Sequence, residues 1–79
     1  METIENVTIY QDFNFSKKYG EFLGSYDIEI IGEKARVIQK MIFGLPQKSR
    51  LNKLHQVGSV GDVKLYHIIA NGKDAFFKK

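Results

Sequence analysis

Apolar and polar positions alternate near both ends of this chain and change rhythm in its middle. Val7, Ile9, Phe13 and Phe15 share one parity, while Thr8, Tyr10, Asp12 and Asn14 share the other. That two-residue period predicts a half-buried strand over 7–15. Ser16-Lys17-Lys18-Tyr19-Gly20 reads as a turn, with Gly20 free to take positive φ. Phe22, Tyr26, Ile28 and Ile30 then alternate with Glu21, Ser25, Asp27 and Glu29. The short connection predicts an antiparallel hairpin whose two strands face one core.

After Gly32 the period lengthens. Ala35, Ile38, Met41 and Ile42 recur at helical spacing, and Glu33, Arg36, Gln39 and Lys40 take the other side. This predicts an amphipathic helix over 33–43, with Ile38, Met41 and Ile42 buried and Gly44 and Pro46 as stop signals. Phe43 falls on its polar side. Ala35, Val37, Met41 and Phe43 also alternate, so a strand after a tight Gly32-Glu33 turn is the rival reading. Ser49 is placed to cap a short helical segment over 50–57, with Leu51, Leu54 and Val57 inward and Gly58 and Gly61 ending it.

Residues 62–79 carry the clearest local pattern. Val63–Ala70 and Lys73–Lys79 flank Asn71-Gly72, the preferred pair for a two-residue type I′ hairpin. The turn predicts Ala70 opposite Lys73, Ile68 opposite Ala75 and Tyr66 opposite Phe77. One face then carries Tyr66, Ile68, Ala70, Ala75 and Phe77. The other carries Val63, Leu65, His67, Ile69 and Phe76. Both faces are largely apolar, so either the hairpin is covered on both sides or one face is an exposed aromatic surface. The predicted class is α+β, a small antiparallel sheet in the order β-β-α-(short α)-β-β. The strand reading of 33–43 gives the alternative, a five-stranded OB-like or SH3-like small barrel.

Composition narrows this picture. Seventy-nine residues make a single domain, 1–79. With no cysteine, neither a disulfide nor a Cys-rich zinc site can support so small a core. The N-terminus lacks the basic region and apolar run of a signal peptide, and no apolar run approaches a membrane span. A cytoplasmic protein without a membrane partner is the expectation, and the triplets Asn6-Val7-Thr8 and Asn14-Phe15-Ser16 read as chance. Net charge is +3, unevenly divided. Residues 1–31 balance to −4 and residues 32–79 to +7. This asymmetry points either to an anionic partner for the C-terminal half or to attraction between the halves of one compact domain.

Candidate chemistry is sparse. His55 and His67 lie on different elements and are too few for a zinc site. Gly58-Ser59-Val60-Gly61 lacks the phosphate-loop pattern. Asp27 and Glu29 share a strand face about 7 Å apart by strand rise, a spacing that a glycosidase pair could use but that a solvated strand face explains better. Ser16, Ser25, Ser49 and Ser59 fall in turns or caps. No catalytic residue, metal or cofactor is expected.

The expected function is therefore a small non-enzymatic binding module, an inhibitor or regulator that occupies the surface of a partner protein. Its contact residues are expected to be Tyr66 and Phe77, rimmed by Lys64, Lys73 and Lys79, as aromatic anchors with a charged rim. The alternative is a nucleic-acid-binding domain using Lys48, Arg50 and Lys53 with Lys78 of the lysine tail, where clustered charge would meet phosphates. A homodimer through the hairpin is a further expectation.

Overall fold

The computed structural model describes residues 1–19, 25–41 and 43–79. Its described residues form only strands and turns, in the order β1 Glu2–Val7, β2 Ser25–Ile31, β3 Lys34–Lys40, β4 Gln47–Lys48, β5 Asn52–Lys53, β6 His55–Val60, β7 Val63–Ala70 and β8 Lys73–Lys78. A five-stranded antiparallel sheet runs β1-β2-β3-β4, with β5 also paired to β3. A three-stranded antiparallel sheet runs β6-β7-β8.

The two sheets are joined on both sides. Only Leu54 separates β5 from β6, so one nearly continuous run leaves β3 and joins β7. On the other side Tyr10 and Phe76 exchange two backbone hydrogen bonds of 2.8 Å. Between the sheets lie Ile9, Ile28, Ala35, Val37, Ile68, Ala70, Ala75 and Phe77, all buried. β3, β7 and β8 each give alternate residues to this core, as their pleat requires.

The α+β expectation is corrected: neither helix forms. Residues 34–40 are β3, paired with β2 from Ile31↔Lys34 to Ser25↔Lys40. The physical reason is the connection. Gly32 takes φ 60°, and a glycine at the first central position closes a two-residue hairpin turn. That turn leaves Ala35 and Val37 inward, while Arg36 and Lys40 reach Glu29 and Asp27 on the outer face. The rival strand reading is what forms. Among the described residues, eight strands in two sheets also depart from a five-stranded barrel.

The 50–57 helix is replaced by β5 and β6. Ser49 does not cap it. Its buried side chain accepts the Val37 N–H at 2.9 Å, and its own N–H donates to Val37 C=O at 2.9 Å. The hydroxyl thus completes a sheet ladder between β4 and β5. At the N-terminus the strand is Glu2–Val7, not 7–15. It pairs Ile4 with Ile28, and its register shifts between Ile4 and Val7, where Asn6 takes φ 52°. Ile9 is buried as its parity predicts, but Phe13 and Phe15 sit on a loop. The expected features at Gly20, Glu21, Phe22 and Ile42 lie outside the described residues.

The C-terminal hairpin follows its sequence. Ala70↔Lys73, Ile68↔Ala75 and Tyr66↔Phe77 are paired. Asn71 and Gly72 take φ 52° and 76°, the two positive values a type I′ turn needs.

Candidate partner-binding face

Alternation along β7 and β8 places Tyr66, Ile68, Ala75 and Phe77 inward and Leu65, His67, Phe76 and Lys78 outward. Phe77 is 0 % exposed, and the half-buried Tyr66 stacks on it at 5.2 Å. Of the expected contact pair, Phe77 is therefore core and Tyr66 packs against it, and Phe77 cannot serve as an exposed anchor. Lys64, Lys73 and Lys79 are exposed but are not gathered around it. Lys64 and Lys79 pair through their backbones, Lys79 also forms an ion pair with Glu2, and Lys73 follows the Asn71-Gly72 turn.

The aromatic surface lies on the other face of the same hairpin. His55, His67 and Phe76 form one rung across β6, β7 and β8, with His55 and His67 stacked at 6.3 Å and His67 against Phe76 at 4.8 Å. His67 Nε2 lies 2.9 Å from Asp74 Oδ1. The next rung is Gly58, Leu65 and Lys78, and Val60 pairs with Val63 beyond it. Gly58 puts no side chain in its rung, so Leu65 and its neighbours border a depression.

The loop after Ile9 supplies a further wall. Asp12 accepts the Ser16 N–H at 2.9 Å, the Lys17 N–H at 3.2 Å and the Ser16 hydroxyl. The Ser16 hydroxyl, more than any other contact, lowers the Asp12 carboxyl below its usual range. Gln11 N–H donates to Lys17 C=O at 2.7 Å, and Tyr19 N–H donates to Ile9 C=O at 2.8 Å. The loop is thus tied to itself and carries its aromatics onto β8. Phe13 meets Phe76 edge-on at 6.0 Å, and Phe15 meets Tyr10 edge-on at 5.1 Å. Phe15 has φ 55°, a left-handed backbone that a bulky residue adopts at a cost. Lys78 Nζ stands 4.8 Å from the Phe15 ring centre and 5.9 Å from that of Tyr10, within cation–π range.

Phe15, Val60, Val63, Leu65 and Lys78 enclose an apolar cleft of about 260 Å³. Val60 at its rim is 70 % exposed, and Phe13 on the same sheet face is 53 % exposed. No family model, curated protein or solved structure matches this chain. The face is consequently read from its own chemistry: an apolar socket, aromatic walls and one cation shared by two rings.

The basic residues of the alternative reading do not meet here as one patch. Lys48, Arg50 and Lys53 are exposed along the β4–β5 edge of the five-stranded sheet, whereas Lys78 sits on the outer face of the three-stranded sheet. The short helix expected over 50–57, which would have carried Arg50 and Lys53, does not form. Asp27 and Glu29 are occupied by ion pairs. Lys40 Nζ is 3.3 Å from Asp27, and Arg36 Nε is 2.9 Å from Glu29 without hydrogen-bond alignment. Among the described residues no group of His, Cys, Asp and Glu is arranged to hold a metal ion.

The two-faced hairpin is legible in the sequence, but the face expected to be exposed, that of Tyr66 and Phe77, is the one that packs against the core. A usable signal was present. Ala70 and Ala75 lie on the Tyr66/Phe77 face, where small residues allow the opposite sheet to approach. Asp74 and Lys78 lie with Phe76, on the face that must reach water. Phe13, Phe15 and Val60 had no such signal, because their places depend on a loop and a turn.

Proposed function

We propose that this protein is a non-enzymatic binding module that holds an acidic segment of a partner protein against the outer face of β6, β7 and β8. One apolar side chain of that segment fills the 260 Å³ cleft. The observation that carries this reading is the cleft itself, lined by exposed Val60 and by Phe15 and rimmed by Lys78. Exposed apolar surface grouped around a socket with aromatic walls is how protein interfaces seat an anchor. The charge of the partner follows from the rim. Lys78 lines the cleft, and Lys17 and Lys18 end the loop that carries Phe15.

Selection of binders from a displayed library of random peptides tests this. The expected result is enrichment of one aromatic or branched apolar residue flanked by Asp or Glu, with binding abolished by Val63→Asp while the fold is kept. Enrichment of basic peptides, or binding indifferent to Val63→Asp, overturns it.

A further inference from the structure

We propose that the β3–β4 hairpin tip and the basic edge behind it dock on an anionic phospholipid bilayer, a second surface that does not depend on the cleft. Between Lys34 and Gly61 the chain contains six Lys or Arg and no Asp or Glu. Arg36 and Lys40 are taken by acids on β2. Lys34, Lys48, Arg50 and Lys53 are all exposed and take part in no ion pair among the described residues. Lys34 stands directly opposite Lys53, an arrangement of like charges that destabilises a sheet and that an anionic surface relieves.

The tip adds what a purely electrostatic site lacks. The sequence from Met41 to Pro46 has no polar side chain, although hairpin tips are ordinarily polar. Phe43 is 89 % exposed and Leu45 86 % exposed. The Gln39↔Gln47 and Ile38↔Lys48 pairs place both residues at the end of the hairpin, with Lys40 and Lys48 at its base. An apolar wedge between cations matches the boundary of an anionic leaflet, where acyl chains take the wedge and headgroups take the charge. Nucleic-acid phosphates would satisfy the lysines and leave Phe43 and Leu45 in water. No helix among the described residues is long and apolar enough to cross a membrane, which bears on spanning and not on surface association. The edge belongs to the five-stranded sheet and the cleft to the outer face of the other, so both can be occupied together.

Co-sedimentation with phosphatidylcholine vesicles, with and without phosphatidylserine, tests the proposal. The protein is expected to sediment only with the phosphatidylserine vesicles and to be released by salt. Phe43→Ser with Leu45→Ser, and separately Lys48→Glu with Arg50→Glu, should each lower partitioning about tenfold or more. Their melting temperatures should match the parent, since all four side chains are exposed. Absence of vesicle binding overturns the proposal. So does binding that survives the Phe43/Leu45 change, and so does retention by a single-stranded oligonucleotide in place of vesicles, which would make the edge a general polyanion site.

Discussion

At the scale of single residues, neighbouring aromatics on β8 have opposite duties. Phe77 fills the space between the sheets, and Phe76 faces out beneath Phe13. Truncating Phe77 to Ala should cost about 3–5 kcal/mol. The exposed Phe13→Ala change should stay within about 0.5 kcal/mol. Urea denaturation of the two variants beside the parent measures both; equal losses would mean that the faces are assigned wrongly. Two phenols give a second reading of burial. Burial pushes both Tyr19 and Tyr26 up, and the charge of Tyr19 adds to the effect on Tyr26. The folded chain therefore favours their neutral form. That contribution to stability is fully present below the ordinary phenol value of about 10 and is lost as pH rises through the raised folded values. Alkaline absorbance titration should show one late-ionising phenol fewer in Tyr26→Phe. Ser49 marks a limit of legibility at this scale. A serine before a basic, leucine-containing run has the sequence of a helix cap, and only the Val37 N–H brought beside it makes it part of a ladder.

At the scale of elements, legibility followed the turns. Asn71-Gly72 fixed the register of β7 and β8 because positive φ at both positions admits one hairpin geometry. The helix expected over 33–43 rested on Ala35, Ile38, Met41 and Ile42, while Ala35, Val37, Met41 and Phe43 fit a strand through the same residues. Gly32 separates the two readings. Its φ of 60° lets β2 turn directly into β3, and a Cβ there would meet nothing within 4 Å. Gly32→Ala should then cost about 1–2 kcal/mol through the backbone alone, seen as a lower denaturation midpoint. No loss would argue against the positive φ and the tight turn. The strand expected over 7–15 failed for a different reason. Alternation continues past Val7, but the ladder with β2 does not, and Asp12 ties the following residues into a loop. Periodicity records which residues are apolar; it does not record where a strand loses its neighbour.

At the scale of the whole molecule, the charge division has a partial internal answer. Glu2, Asp27 and Glu29 from the acidic half pair with Lys79, Lys40 and Arg36 from the basic half. Attraction between halves is therefore built into the fold, and among the cations left over are Lys48, Arg50 and Lys53 at the β4–β5 edge and Lys78 at the cleft. The Lys48, Arg50 and Lys53 cluster was legible in the sequence, whereas the cleft was not, since it depends on two sheets closing around one core. The same closure leaves the outer face of β6, β7 and β8 as an aromatic surface with an open socket. Amide chemical-shift mapping with a selected acidic peptide tests it most directly. Shifts are expected to concentrate at Phe15, Val60, Val63, Leu65 and Lys78, with Lys48–Lys53 unmoved. Shifts confined to the Lys48–Lys53 edge, or absent from the cleft residues, would contradict it.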